Sequence, residues 1–303
     1  MGMMRWWVYQ RERFPLVAHA PLIAAFSFCA VSLSTMLRGA ERISIASFIV
    51  AFVTCLLFFL QLRIADEFKD FDEDTRYRPY RPVPRGLVSL QELGWLFVAS
   101  ALIQVTLALW LAPGLIVLLG IAWLYLAMMS REFGMRVFLK RHPLIYLISH
   151  MLIMPLVDLY ATGTDWVPAG QGMPLALSWF LAASFFNGMS IDLGRKIRSP
   201  ADEEVGVQTY SRLWGRTVSV VAWWILLLAS MMCALGVARH LDVHRELSVS
   251  YTALLAVCGL MAARFRRLSA AGGGKQIETL TFVWTLSLYL GLGLTPLIVR
   301  GTH

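Results

Sequence analysis

The chain has 303 residues, of which 58% are hydrophobic and 15% charged, with a mean hydropathy of +0.63 and a formal net charge of +8. That apolar fraction excludes an ordinary soluble enzyme and points to an integral membrane protein. Runs of about 20 apolar residues can each cross a bilayer as a helix. They are expected near 16–37, 43–65, 92–112, 114–130, 143–162, 174–195, 215–237, 249–264 and 277–299, about nine spans, the fourth and eighth being short.

Charge placement supports that topology. With the N-terminus inside, only Arg38, Arg42, Arg239, Arg245 and Arg300 of the 27 basic residues fall in outside segments. The bias is the positive-inside pattern of a multi-span protein. It assigns the net charge to topology and anionic lipid and calls for no nucleic acid. Cys29, Cys55, Cys233 and Cys258 all fall inside expected spans and form no C-x-x-C pair. They read as small core residues. The first apolar run is too long for a cleaved leader and lacks a small-residue cleavage site, so it reads as a span.

In chain order, residues 1–15 form a basic, aromatic lead (Arg5, Trp6, Trp7, Tyr9, Arg11, Arg13) expected on the inner interface. The second span runs into Asp66-Glu67-Phe68-Lys69-Asp70-Phe71-Asp72-Glu73-Asp74, six carboxylates in nine residues. On a helix, Asp66, Asp70 and Asp74 share one face, with Glu67 and Glu73 close to it and Asp72 on the other side. Such a stripe repels itself unless cations fill it, and oxygen-only donors suit a hard ion such as Mg²⁺. A solvated charged helix end is the plain alternative. The three prolines of Arg78-Pro79-Tyr80-Arg81-Pro82-Val83-Pro84-Arg85-Gly86 forbid a helix and predict an ordered, arginine-bearing loop suited to ion pairs or a phosphate.

The fourth span ends near Tyr125, and the fifth holds His150 and Asp158, ionisable groups that are costly within a span. His150 reads equally as a cavity-lining or a satisfied structural group. The sixth span carries Phe185, Phe186, Asn187 and Asp192-Leu193-Gly194-Arg195-Lys196, followed by Arg198-Ser199-Pro200-Ala201-Asp202-Glu203-Glu204. Ser199-Pro200 looks like the cap of a short new helix, which gives Asp202, Glu203 and Glu204 an ordinary role as helix-start acids. Gly272-Gly273-Gly274-Lys275 lacks P-loop spacing and reads as a flexible linker. The two acidic clusters lie at the same membrane side, four spans apart. They predict a single polytopic domain over 1–303 with two similar halves, their inner loops at 63–90 and 192–212 facing one pocket.

These motifs resemble those of the UbiA superfamily of intramembrane prenyltransferases. Asp66-Glu67-x-x-Asp70-x-x-x-Asp74 keeps the spacing of the family's N-D-x-x-D-x-x-x-D, with Asp and Glu at the first two positions. Arg81-Pro82-Val83-Pro84-Arg85-Gly86 matches the R-P-L-P-x-G loop that often follows it. The second motif, Y-x-x-x-K-D-x-x-D, is degenerate: Asp192 stands for Tyr, Lys196 is kept, Ile197 replaces the adjacent Asp, and Asp202 comes after a longer gap.

The resemblance implies an all-α bundle of about nine helices around a central cavity. It implies Mg²⁺-dependent transfer of an isoprenyl group from an isoprenyl diphosphate to a lipophilic acceptor. Asp66, Glu67, Asp70, Asp74, Asp192 and Asp202 would serve as metal and catalytic residues. Lys196, Arg195, Arg198, Arg78 and Arg81 would hold the diphosphate, Tyr125, His150 and Asn187 are cavity candidates, and Phe185, Phe186 and Tyr125 are candidates for the aromatic faces that stabilise an allylic cation. The expected setting is a bacterial inner membrane, with membrane lipids around the helices and the site toward the cytoplasm. Two other readings stay open: a terpene cyclase using the same donor, and a divalent-cation transporter, whose sites usually lie nearer the midplane.

Overall fold

The computed structural model describes residues 2–204, 206–267 and 272–301. Among them the regular elements are all helical. A lead helix α1 (Gly2–Arg13) precedes α2 (Leu16–Leu37) and α3 (Ile45–Lys69), then a short α4 (Phe71–Tyr77). Next come α5 (Leu90–Leu111), α6 (Leu115–Ser130), a 3-10 turn (Glu132–Gly134) and α7 (Arg136–Arg141). The remainder is α8 (Pro143–Met151), α9 (Ile153–Trp166), α10 (Leu177–Arg195), a 3-10 turn (Pro200–Asp202), α11 (Tyr210–Arg239), α12 (His244–Arg267) and α13 (Gly273–Gly301).

Among the described residues, seven segments are long and apolar enough to cross a membrane: α2, α3, α5, α8 with α9, α11, α12 and α13. The 16-residue α6 and the 19-residue α10 stand where two further spans are expected. The expected fifth span is two helices. Pro155, in the first turn of α9, has no N–H for the Met151 carbonyl and crowds it, so the helix breaks at Leu152. The eighth span, expected to be short, is the 24-residue α12.

The spans close into a ring. In order around it, α2 meets α3, then α5, α6, α9, α10, α11, α12 and α13, which returns to α2. Across the middle, α9 also touches α2 and α3, and α10 touches α13. Small and aromatic residues fill the centre: Phe26 and Phe180 set their edges against Tyr289 at 5.2 and 6.2 Å between centroids. Trp223 and Trp284 are buried whole, each indole N–H finding a hydroxyl, Thr281 Oγ1 at 2.8 Å and Ser230 Oγ at 3.1 Å. All four cysteines are buried and unbridged, as expected.

The glycine triplet is not a linker. Residues 268–271 of the expected linker lie outside the described residues, but Gly273 and Gly274 form the first turn of α13. A Cβ on Gly274 would collide with the carbonyl oxygen of Ile197, and one on Gly273 would meet the Phe265 ring and Ser199 Oγ. Gly272, at φ +78°, donates its N–H to Asp202 Oδ2 at 2.8 Å. The glycines therefore let α13 dock on the backbone that follows Lys196.

At the opposite end of the bundle, Arg38, the C-cap of α2, grips Asp165 of α9 through Nε and Nη2, both at 2.8 Å. Ser34 and Thr35 donate to the same carboxylate at 2.6 and 2.9 Å. A buried charge with four good donors is stable only as a set, and removing one partner of such a pair typically costs about 3–5 kcal/mol. Asp165→Ala is expected to lower unfolding stability by about that amount in detergent denaturation. Lys140→Ala, which breaks an exposed pair, is expected to change it by less than about 1 kcal/mol. Gly274→Ala should destabilise by about 1–3 kcal/mol through overpacking against Ile197.

Candidate functional site

The stripe read from the sequence is divided by the fold. Helix α3 runs four residues past its expected end and stops at Lys69, and Asp70 caps it at φ −100°, ψ 8°. Asp74 then belongs to α4. Asp66 and Asp70, one turn apart near the end of α3, keep the predicted common face. Glu67 and Asp74 do not join them. Both are buried, at 2% and 3% exposure. Glu67 pairs with Arg13 Nε, and Asp74 accepts from Arg81 Nη1 and, at 3.2 Å, from Arg78 Nη1. Arg13 Nη2 lies 4.0 Å from Asp74. These two carboxylates anchor α1 and the Pro-rich loop, so the geometry gives them structural partners instead of an open coordination site. The loop is ordered, as expected, with Val83 buried beside Tyr9, Ile64, Val88 and Leu93.

Asp72 is exposed, as expected for the off-face residue. Glu73 is exposed too and pairs with Lys140 at 2.7 Å and Arg136 at 3.6 Å. The Lys140 hydrogen bond holds its carboxyl below the ordinary carboxylate range. Asp66 forms one ion pair among the described residues, with Arg63 at 3.6 Å. Asp70 makes no side-chain hydrogen bond or ion pair among the described residues. Burial raises its carboxyl above the ordinary range, the charges of Asp66, Asp74 and Glu73 add to this, and Lys69 opposes it.

The second cluster is divided in the same way. Asp192 of α10 is bound by Lys196 Nζ at 2.8 and 3.0 Å and accepts from Tyr210 Oη at 2.9 Å. Asp202 is used elsewhere: it sits in the Pro200–Asp202 turn and accepts from Gly272 in the α12–α13 connection. The expected cap is also absent in its simple form, since the Ser199 side chain makes no capping bond to that turn. Glu203 accepts twice from Thr209, at 2.6 and 2.9 Å. Arg198 pairs through Nη1 with Glu278 of α13 at 3.4 Å. Arg195 is exposed, and its charge is felt by Arg63 on α3.

Tyr146 of α8 joins the two clusters. Lys69 Nζ donates to its hydroxyl at 3.2 Å and lies 5.7 Å from its ring centroid, and Lys196 Nζ lies 5.9 Å from the same centroid. Lys196 is also 5.6 Å from the Tyr210 ring. The structure thus brings together Asp66, Asp70, Asp192, Lys196 and Arg195, with Arg63, Lys69, Tyr146 and Tyr210. Those last four escape the sequence reading. Lys69 lies within the acidic stretch and was open to notice, whereas Tyr146 and Tyr210 carry no local signal because only folding brings them to Lys196.

The cavity candidates divide as well. Tyr125 donates to the Ser149 carbonyl at 2.6 Å. His150 is buried, with Nε2 3.2 Å from Glu132 Oε2. Asn187 is fully buried on α10; its Oδ1 accepts from Thr285 at 3.2 Å, while its Nδ2 has no hydrogen bond among the described residues. Phe185 and Phe186 are partly buried, 5.4 Å apart.

Among the described residues no three His, Cys, Asp or Glu side chains close into a metal cage. Mg²⁺ does not require one, since it is commonly held by one or two carboxylates together with phosphate oxygens and water. Asp66 and Asp70 are all-oxygen donors one turn apart, and among the described residues no direct ion pair compensates Asp70. This donor set fits that ion.

The division predicts opposite stabilities for two neighbouring acids. Asp74→Ala strands Arg78 and Arg81 and should cost about 3–5 kcal/mol in unfolding, while Asp72→Ala stays within about 0.5 kcal/mol. Because folding raises the Asp70 pKa, its ionised form opposes folding above that raised value. Asp70→Asn should therefore raise the unfolding temperature near neutral pH in metal-free buffer. The gain should fade as pH falls through the raised pKa toward the ordinary 3.8, where the native acid is neutral in both states.

The model of the UbiA prenyltransferase family matches residues 13–291. A search of curated proteins finds no match. Among solved structures, the chain is similar to the apo form of a UbiA homolog from Aeropyrum pernix K1, with a TM-score of 0.65 and 16% identity over 92% of this chain and 98% of that one. It is similar to a UbiA homolog from Archaeoglobus fulgidus bound to DMAPP and Mg²⁺, with a TM-score of 0.58 and 14% identity over 96% and 99% of the two chains. A digeranylgeranylglyceryl phosphate synthase structure gives a TM-score of 0.59 at 11% identity, covering 95% and 99%. Apolar helices that close into a ring, two acidic clusters at one end of it and a family match over nearly the whole length lead to one assignment: this multi-pass membrane protein belongs to the UbiA prenyltransferase family.

Proposed function

We propose that the chain transfers an isoprenyl group from an isoprenyl diphosphate to a lipophilic acceptor within the membrane, in a Mg²⁺-dependent reaction. The observation that carries this reading is the convergence of Asp66, Asp70 and Asp192 with Lys69, Lys196, Arg63 and Arg195 at one end of a closed ring of apolar helices. An isoprenyl diphosphate has a doubly phosphorylated head and a hydrocarbon tail. A polar, charge-rich end over an apolar interior accepts both parts at once. The A. fulgidus relative, bound to DMAPP and Mg²⁺, supports the same chemistry here.

Asp66 and Asp70 would hold the metal, with Asp192 as the contribution of the second cluster. When bound, Mg²⁺ neutralises diphosphate charge and makes the diphosphate a better leaving group. Lys196 and Arg195 bind the departing diphosphate by charge-assisted hydrogen bonds. Asp192 and Tyr210 orient Lys196 by fixing its ammonium on one side. Tyr146 and Tyr210 present π faces near the lysines and suit an allylic cation as well as an ammonium. Bond formation follows as the acceptor attacks the allylic carbon and gives up a proton. The bias of basic residues toward this end supports a cytoplasmic site in a bacterial inner membrane.

The test is diphosphate release by purified protein with geranyl, farnesyl or geranylgeranyl diphosphate, with and without a membrane lipid extract. Release that needs both Mg²⁺ and extract is expected, and chelation should abolish it. Asp66→Asn and Asp70→Asn should each lower turnover about a hundredfold or more, several kcal/mol of lost charge stabilisation. Release without extract and with a cyclic hydrocarbon product would identify a cyclase. No release, but divalent-ion flux in proteoliposomes, would identify a transporter.

A further inference from the structure

Lys69 lies in a polar group built on an unusual backbone turn. The turn after α6 is left-handed at three residues in succession: Glu132 (φ +51°), Phe133 (φ +52°) and Gly134 (φ +72°). Only the third is a glycine, and L side chains rarely adopt this backbone. Non-glycine residues held there by the rest of the fold point to a required placement. The turn drives the Glu132 carboxylate into the interior, at 5% exposure, and sets Phe133 against Tyr125 and His150, at 5.5 and 6.0 Å between centroids.

Glu132 meets two cationic or proton-bearing groups there: Lys69 Nζ at 3.3 Å and His150 Nε2 at 3.2 Å. Burial pushes its carboxyl upward, but the His150 contact and the Lys69 charge outweigh that and hold it below the ordinary range. The His150 ring is fixed on its other edge, where Nδ1 faces the Tyr146 carbonyl at 3.0 Å, and it stacks on the Tyr146 ring at 3.8 Å and 17°. Lys69 is thus held by Glu132 Oε1 on one side and Tyr146 Oη on the other. An ammonium has three N–H donors. The third has no partner among the described residues, and Lys69 adjoins Asp70. On the second cluster, Lys196 is restrained in the same manner, by Asp192 and the rings of Tyr146 and Tyr210.

We propose that Lys69 is a diphosphate-binding cation of the site, the counterpart of Lys196 on the first-cluster side of Tyr146, and that Glu132 and His150 are positioning residues acting through Lys69 and Tyr146. This rests on the prenyl-transfer reading above. The strained turn serves to fix an ammonium that would otherwise be a flexible four-carbon chain, so that the diphosphate meets two pre-placed lysines.

The experiment measures binding of a non-hydrolysable isoprenyl thiolodiphosphate, with Mg²⁺, to the full-length protein in nanodiscs. Lys69→Met, Glu132→Gln and His150→Asn are each expected to weaken binding about tenfold or more. The double variant Lys69→Met/Glu132→Gln should bind no more weakly than Lys69→Met alone, because Glu132 acts through Lys69. Thermal unfolding is followed for each protein. If Lys69→Met does not yield folded protein, Tyr146→Phe, which removes only the hydroxyl that Lys69 bonds, takes its place with the same expected non-additivity. Binding within twofold of the wild type, or single-variant losses that simply add, would overturn the proposal and leave the cluster a stabilising one. Wild-type protein that binds no thiolodiphosphate would instead overturn the prenyl-transfer reading itself.

Discussion

Six carboxylates within nine residues repel one another at a helix end, and the architecture of this end of the molecule follows from how that repulsion is met. Arg13 from α1 and Arg78 and Arg81 from the Pro-rich loop take Glu67 and Asp74. Lys140 and Arg136 of α7 take Glu73 at the surface. Three acids remain: Asp72, exposed on the other side, Asp66, paired only loosely with Arg63 at 3.6 Å, and Asp70, which has no ion pair among the described residues. Partners from other elements thus engage some acids of the stripe and leave others without a close cation.

The second acidic stretch obeys the same rule with different donors. Asp202 and Glu203 are absorbed by backbone and hydroxyl groups, and Arg198 is absorbed by Glu278. Asp192 remains at the junction, but already paired with Lys196 and Tyr210. The degenerate second motif keeps one acid facing the first cluster and gives the rest of its charge to the docking of α13, where Gly272 to Gly274 let the backbones approach. Tyr146 is the element common to both sides. Its ring lies within cation–π reach of Lys69 and Lys196, which explains how two clusters four spans apart form one polar end.

The ring of helices supplies the other half of the design. Closing α13 against α2 hides the apolar faces of the interior and leaves lipid-facing residues such as Trp95, Trp110 and Leu260 on the outside. Ser32 Oγ donates to the Gly293 carbonyl at 2.9 Å across the α2–α13 seam, while the Arg38–Asp165 grip ties α2 to α9 and the hydroxyl-satisfied tryptophans tie α11 to α13. Strain is concentrated instead at the left-handed Glu132–Gly134 turn, next to the polar end.

The sequence by itself determined the membrane class, the span positions, the ordered Pro-rich loop and the first motif, because hydropathy, charge bias and i, i+4 spacing are local properties of the chain. Asp66 and Asp70 were legible for the same reason. It also placed Lys196 and Asp192 on one turn. Only the tertiary structure decided that Glu67, Asp74, Asp202 and Arg198 are engaged elsewhere, since their partners Arg13, Arg78, Arg81, Gly272 and Glu278 come mostly from other elements. The break at Leu152 was written in Pro155, but a break matters only when packing gives each half its own neighbours. Tyr146, Glu132 and Tyr210 had no readable spacing to Lys69: they meet it because α3, the α6–α7 turn, α8 and α11 converge, and long-range proximity is what folding adds to a one-dimensional pattern.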